Sequence, residues 1–300
     1  LYDECIKYNP ELVFVEFAVN DYWAGKETQN TMEAIVRSLQ TMEKPPYIVF
    51  LYTAQYNADN AGSSGDISNS TNIASLQKQV ADYYGIPSIN LSENVYKPYV
   101  ASRVAEGAEQ ETAIKEFLST DYVHPTANGH KRYGDYIVEQ LKTGNYYKKA
   151  VNKEEWLETS RRYDFVPKAV NVTDEMISGT HTKSSDGKRV ILDTGASISY
   201  KFTGPMISSY MMLNRDGGKF EISIDGKTVS TGNSYRDQGY DQRALGFWIR
   251  DLKKDTLHTL RLTVNSGKLD IKNLYTAETE LPSGGISAIA DNQNGNVTVT

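Results

Sequence analysis

Apolar and polar positions alternate along this chain with two different periods, one on each side of about residue 165. Before that point, runs apolar on both faces alternate with helical patterns. Leu12–Val19 and Tyr47–Tyr52 are nearly unbroken stretches of β-branched, aromatic and leucyl residues, the signature of strands buried on both faces. Thr31–Met42 carries Met32, Ile35, Val36 and Leu39 at helical spacing, and Pro45-Pro46 stops it. Asn72–Tyr84 repeats the pattern through Ile73, Leu76 and Val80, with Gly85 placed to end it. Ile86–Leu91 predicts a third short strand, Val95–Leu118 one or two helices, and Thr126–Leu141 a last helix. Leu1–Tyr8 predicts the end of an earlier helix, and Ala54–Ser70 a polar loop.

Helices alternating with strands predict an α/β class with a parallel sheet in three layers, α/β/α. Sites in such sheets lie beyond the C-terminal ends of the strands. From residue 165 the runs become short and frequent, as in Ile198–Phe202, Phe220–Ile224, His258–Val264 and Leu269–Tyr275, with Gly, Asp and Asn between them. Asp225-Gly226 is a hairpin turn signal. An all-β sandwich is expected there. The expected organisation is an α/β domain over 1–148, a linker over 149–164 anchored by Trp156 and Leu157, a β-sandwich accessory domain over 165–278, and a linker with the start of a further module over 279–300.

Charge and composition narrow the chemistry. A net charge of −6 disfavours a phosphate-binding surface, so nucleic acid is not an expected partner. No apolar run reaches transmembrane length, so a membrane is not expected as a partner either. The single Cys5 excludes an intrachain disulfide and any cysteine-based metal cluster. No grouping of histidines and carboxylates has metal-ligand spacing, and no glycine pair precedes a helix as a phosphate loop would, so no cofactor is expected. The 21 tyrosines suit wet surfaces that hold sugars, and fill strands equally well. Tyr210, Tyr235, Tyr240, Phe247 and Trp248 are candidates for a sugar-stacking platform, with core placement expected for most of them.

Two motifs carry candidate chemistry. In Asp121-Tyr122-Val123-His124-Pro125, an aspartate three residues before a histidine can reach the Nδ1–H within one turn and leave Nε2 to move a proton. The same letters also fit a helix N-terminus capped by Asp121, with His124 incidental. In Phe17-Ala18-Val19-Asn20-Asp21, an asparagine ending a buried strand can aim its amide at a developing oxyanion. An Asn-Asp turn is the plainer reading. His130 reads as a packing or capping residue, and His181 and His258 as surface residues of the β region.

Together the two motifs resemble the SGNH (GDSL-type) hydrolase superfamily, especially bacterial carbohydrate esterases. Ala18-Val19-Asn20-Asp21 is similar to its Gly-x-Asn-Asp block with Gly replaced by Ala, and Asp121-x-x-His124 matches its Asp-x-x-His block, with Pro125, Asn128, Gly129 and His130 also family-like. The resemblance implies that His124 is the general base, Asp121 its orienter and Asn20 an oxyanion donor. It implies an extracellular or cell-surface enzyme that removes acetyl or other acyl groups from a polysaccharide such as xylan or mannan, without a cofactor. A non-catalytic carbohydrate-binding protein on the same scaffold is the alternative. The family's first block, Gly-Asp-Ser, is not found. Ser63-Ser64-Gly65-Asp66 has similar letters but sits in the polar loop and is left unassigned. The resemblance therefore implies a truncated domain that lacks its first strands and its nucleophilic serine. The strand over Val13–Phe17 should then stand at a sheet edge.

Overall fold

Strand β2 (Tyr47–Tyr52) shows how the sequence builds the first unit. Ile48, Phe50 and Tyr52 enter one apolar cluster, while Val49 enters another with Leu51 packed against it. A strand that divides its side chains this way must have a layer on each face. The computed structural model describes residues 1, 5–22, 24–56, 72–157, 165–237 and 242–280, which fall into two compact units, Asp3–Asp164 and Phe165–Glu280.

In the first unit a parallel sheet runs in the order β1 (Leu12–Val15), β2, β3 (Ser88–Asn90). The crossovers are α1 (Glu27–Gln40) and α2 (Ile73–Tyr84). Both connections step the same way across the sheet, so right-handed crossovers put both helices on one face. Met32, Val36 and Leu39 of α1 and Val80, Ala81 and Tyr84 of α2 bury that face with Val13, Val15, Ile48 and Phe50. The opposite face is covered by α4 (Gln110–Phe117) and α5 (Ala127–Lys142) through Ile114, Phe117 and Tyr133, and by α3 (Lys97–Ala105), whose Tyr99 and Val100 pack against them beside the preceding Tyr96. This is the three-layer α/β/α arrangement expected.

Two expectations need correction. The Leu1–Tyr8 helix is only a single 3₁₀ turn, Ile6–Tyr8, within the described residues. The apolar run Leu12–Val19 pairs as strand only over Leu12–Val15. It buries one face, Val13 and Val15, but leaves Phe14 41% exposed on the other, with Phe17 just beyond it at 40%. An unbroken apolar run reports how sticky both faces are, not whether both are covered. As expected, β1 stands at a sheet edge, with β2 its one partner among the described residues. The polar loop is outside the described residues over 57–71, and Ser63 to Asp66 lie there.

After α5 the chain returns along the α1–α2 face. Val151 N donates to the Tyr84 carbonyl and Leu157 N to Glu33 Oε1 at 2.7 Å. Trp156 is buried, with the Arg37 guanidinium 4.5 Å from its ring centre.

The second unit is a sandwich of two antiparallel sheets. One is ordered β11 (Lys227–Asn233), β10 (Lys219–Ile224), β13 (Leu257–Val264), β8 (Ser197–Thr203), β5 (Ile177–Ser178). The other is β12 (Gln242–Ile249), β9 (Ile207–Leu213), β14 (Leu269–Glu280), β7 (Val190–Leu192), β6 (His181–Lys183), with β4 (Phe165–Asn171) also on β14. Ile198, Phe220, Ile222, Leu260 and Leu262 of the first sheet meet Leu192, Ile207, Met211, Ile271 and Leu274 of the second. Asp225-Gly226 makes the β10–β11 turn, with Asp225 at φ 54°. Phe247 is core, Tyr235 is exposed, and Tyr240 lies outside the described residues. The stretch expected to start a further module, 279–300, is outside them from 281 onward.

Candidate active site

The loop between α4 and α5 is closed at its base. Leu118 and Pro125 form an isolated antiparallel bridge, Thr126 N donates to the Phe117 carbonyl at 2.8 Å, and Ser119 N donates to the His124 carbonyl at 2.6 Å. Thr126 then caps α5, its hydroxyl accepting from Gly129 N at 3.2 Å. Gly129 has a steric reason to be glycine: a Cβ there would stand 2.3 Å from the Phe117 carbonyl oxygen. The close approach of α5 to the end of α4 draws the loop tight.

Within this loop Asp121 and His124 meet, as the spacing predicts. Asp121 Oδ2 lies 2.6 Å from His124 Nδ1. A carboxylate can only accept, so Nδ1 carries the proton. In the neutral ring Nε2 then holds a lone pair, and no described residue bonds to it. The other carboxylate oxygen, Oδ1, accepts from Ser119 Oγ at 2.6 Å, Val123 N at 2.9 Å and His124 N at 3.0 Å. The Ser119 hydroxyl first, then the His124 ring and the two backbone amides, hold the Asp121 carboxyl well below the ordinary carboxylate range. Asp121 is therefore an anion wherever the protein is folded near neutrality. The imidazole is 79% exposed.

Tyr122, between them, takes a left-handed backbone at φ 61°. Its hydroxyl donates to Glu111 Oε1 at 2.8 Å, its carbonyl accepts from Tyr56 N at 3.0 Å, and its ring lies 5.7 Å from that of Tyr56. This ties the loop to the segment leaving β2. In that segment Thr53 Oγ1 donates to Glu16 Oε1 at 2.7 Å, which reaches the segment leaving β1. The Asp121 loop and the Glu16–Asn20 connection thus share the C-terminal edge of the sheet.

Asn20 sits exposed on that connection. Its neighbour Asp21 anchors the turn, with Oδ2 accepting from Thr28 Oγ1 at 2.7 Å and Gln77 Nε2 at 3.4 Å. Among the described residues no hydrogen bond joins Asn20 to Asp121 or His124. The edge is common to all three, while the direct contact is between Asp121 and His124 alone. A crease of about 830 Å³ between α3 and α5, lined by Tyr99, Arg103, Asn128 and Arg132, takes in neither Asp121 nor His124.

Sequence reasoning missed Ser119 and Tyr122. The Ser-x-Asp spacing was the available signal for the first, since a short hydroxyl two residues before an aspartate often closes a turn. His130 is exposed, and His181 lies 3.4 Å from Asp174. His258, expected at the surface, is instead 5% exposed and bonded on both ring nitrogens. Among the described residues no group of three or more His, Cys, Asp or Glu side chains could hold a metal ion, and no helix is long and apolar enough to cross a membrane.

No protein-family model matches the chain, and no curated protein does. Among solved structures it is similar to a two-domain esterase active on acetylated mannans, at 16% identity and a TM-score of 0.65, over 92% of this chain and 76% of that one. It is equally similar to a two-domain esterase of the same description co-crystallised with mannopentaose, with 16% identity, a TM-score of 0.65, and coverage of 93% and 75%. At that identity the likeness is one of fold, an α/β unit followed by a β-sandwich, and it runs through both units of this chain.

Proposed function

We propose that this chain belongs to a serine esterase of the SGNH type that removes acetyl groups from a polysaccharide such as xylan or mannan. The observation that carries the reading is the 2.6 Å contact between the Asp121 carboxylate and His124 Nδ1, with Nε2 exposed at the C-terminal edge of a parallel sheet. The fold shared with an esterase active on acetylated mannans supports the substrate class.

In this reading a serine hydroxyl attacks the ester carbonyl while His124 Nε2 takes its proton. Asp121 keeps Nδ1–H in place and balances the imidazolium charge. The Asn20 amide donates to the oxyanion. Collapse passes the proton from Nε2 to the departing sugar oxygen, leaving an acetyl-serine. His124 then deprotonates a water, which releases acetate and restores the serine. The serine is proposed to lie outside residues 1–300. The domain bounds drawn from the sequence stand as part of the proposal, with the β-sandwich unit holding the polysaccharide. An extracellular or cell-surface location follows from a substrate too large to enter a cell.

The test is acetate release from acetylated mannan and xylan by a protein that joins this chain to the proposed serine. His124→Ala should lower turnover by roughly 10⁶ and Asp121→Asn by roughly 10⁴, while polysaccharide binding is kept. Undiminished turnover in His124→Ala would remove His124 from the chemistry, and polysaccharide binding with no acetate release by the parent would leave the carbohydrate-binding alternative standing.

A further inference from the structure

We infer that Ser119 is a positioning residue for the Asp121–His124 pair, holding the carboxylate turned so that one oxygen faces the ring at Nδ1 and Nε2 stays free. The inference rests on the esterase reading for its importance. Its geometry stands apart from that reading.

Ser119 spends all three of its polar groups on the loop. Its amide donates to the His124 carbonyl at 2.6 Å, its carbonyl accepts from Tyr122 N at 2.9 Å, and its hydroxyl donates to Asp121 Oδ1 at 2.6 Å. The last bond matters most. An aspartate carboxylate turns about χ2 in a broad well, so the oxygen facing the ring can swing out of line with Nδ1 unless the other oxygen is held. Here Oδ1 takes three donors and Oδ2 is left with the imidazole alone. Of the four bonds, the hydroxyl is also the largest single cause of the depressed Asp121 carboxyl. Asp121 is half exposed, so water competes for Oδ1 as soon as the hydroxyl is removed.

The same geometry separates Ser119 from the nucleophile. Its hydroxyl is given to the carboxylate, and the carboxylate meets the ring at Nδ1. A nucleophile has to meet Nε2.

The experiment reads the His124 ring by ¹⁵N NMR in the 300-residue chain, with His124→Gln to assign its signals. The parent should show one tautomer, protonated on Nδ1. Ser119→Ala should populate the Nε2–H tautomer and weaken the Nδ1–H signal, and Ser119→Thr, which keeps a hydroxyl, should restore both. In the active esterase Ser119→Ala should lower kcat by roughly three- to tenfold with KM unchanged. A Ser119→Ala ring spectrum identical to the parent's would overturn the inference. Should Ser119→Ala fail to fold, Ser119→Cys, with its weak donor, takes its place: an altered tautomer supports the role and an unaltered one overturns it. The NMR reading needs no substrate, so the positioning role can fail while acetate is still released. Conversely, the esterase reading can fail through His124→Ala while Ser119 still sets the tautomer.

Discussion

Each unit of this protein holds a histidine against an aspartate, and the two pairs are built from the same contact. In the α/β unit His124 Nδ1 lies 2.6 Å from Asp121; in the β unit His258 Nδ1 lies 2.7 Å from Asp225. What differs is the other ring nitrogen. His258 Nε2 faces the Lys253 carbonyl at 3.0 Å. Two acceptors, one on each nitrogen, call for two ring protons, so the folded protein favours the imidazolium. The Asp225 hydrogen bond is the chief reason the His258 pKa is raised above its ordinary value, against the opposing effect of burial. His258 is 5% exposed and joins the end of β13 to the β10–β11 turn. His124 is 79% exposed with Nε2 unclaimed by any described residue. One pair is closed and holds a fold together; the other is half-finished and can pass a proton. An Asp–His contact alone does not mark a catalytic site; the proposed chemistry requires an unclaimed second nitrogen as well.

The comparison breaks most visibly through rate. Asp121→Asn in the active esterase should cost about 10⁴ in turnover, because an amide can hold the wrong tautomer. It should leave the melting temperature within about 2 °C, since the side chain is half exposed. Asn20→Ala should cost less, about 10²–10³ in kcat. Acetate release gives both figures, and an Asn20→Ala enzyme as fast as its parent would remove Asn20 from the oxyanion site. His258→Leu should do the reverse. It should leave turnover intact and destabilise the β unit by about 1–3 kcal/mol, as for a buried, doubly hydrogen-bonded polar group, measured by denaturant unfolding.

The smallest effect is in pH. His258 is raised in the folded state, so its pair contributes fully below the ordinary histidine value of about 6.5 and fades as pH rises through the higher folded value. Asp225 is lowered, so its contribution is present above the ordinary aspartate value of 3.8 and fades as pH falls. The β unit should therefore be steadiest between those limits, and His258→Leu should flatten the alkaline side of that profile. An unchanged alkaline limb in His258→Leu would show that the pair is not its source.

How much of this was legible depended on how local each contact is. Asp121 and His124 are three residues apart, so one turn brings them together and the spacing alone points to the pair. Asp225 and His258 are 33 apart and meet only through the register of β10 on β13, where Ile224 opposes Leu260. No pattern of letters gives that register, so His258 read as a surface residue. The two-faced burial of β2 was legible because neighbours on both sides of the sheet are supplied by this chain. In β1 the same apolarity overstated burial, since Phe14 has no covering layer among the described residues. Asn20 was expected at a strand end, but β1 ends at Val15, and the turn that carries Asn20 is held by Asp21, whose partners Thr28 and Gln77 lie on α1 and α2.

The central claim, that the free Nε2 of His124 moves the proton, is tested most directly by replacing the ring with a diffusible one. His124→Gly opens space at an exposed site, and exogenous imidazole should restore acetate release in a saturable way from a background about 10⁶ below the parent. A His124→Gly esterase that releases acetate at the parent rate with no imidazole added would contradict the claim.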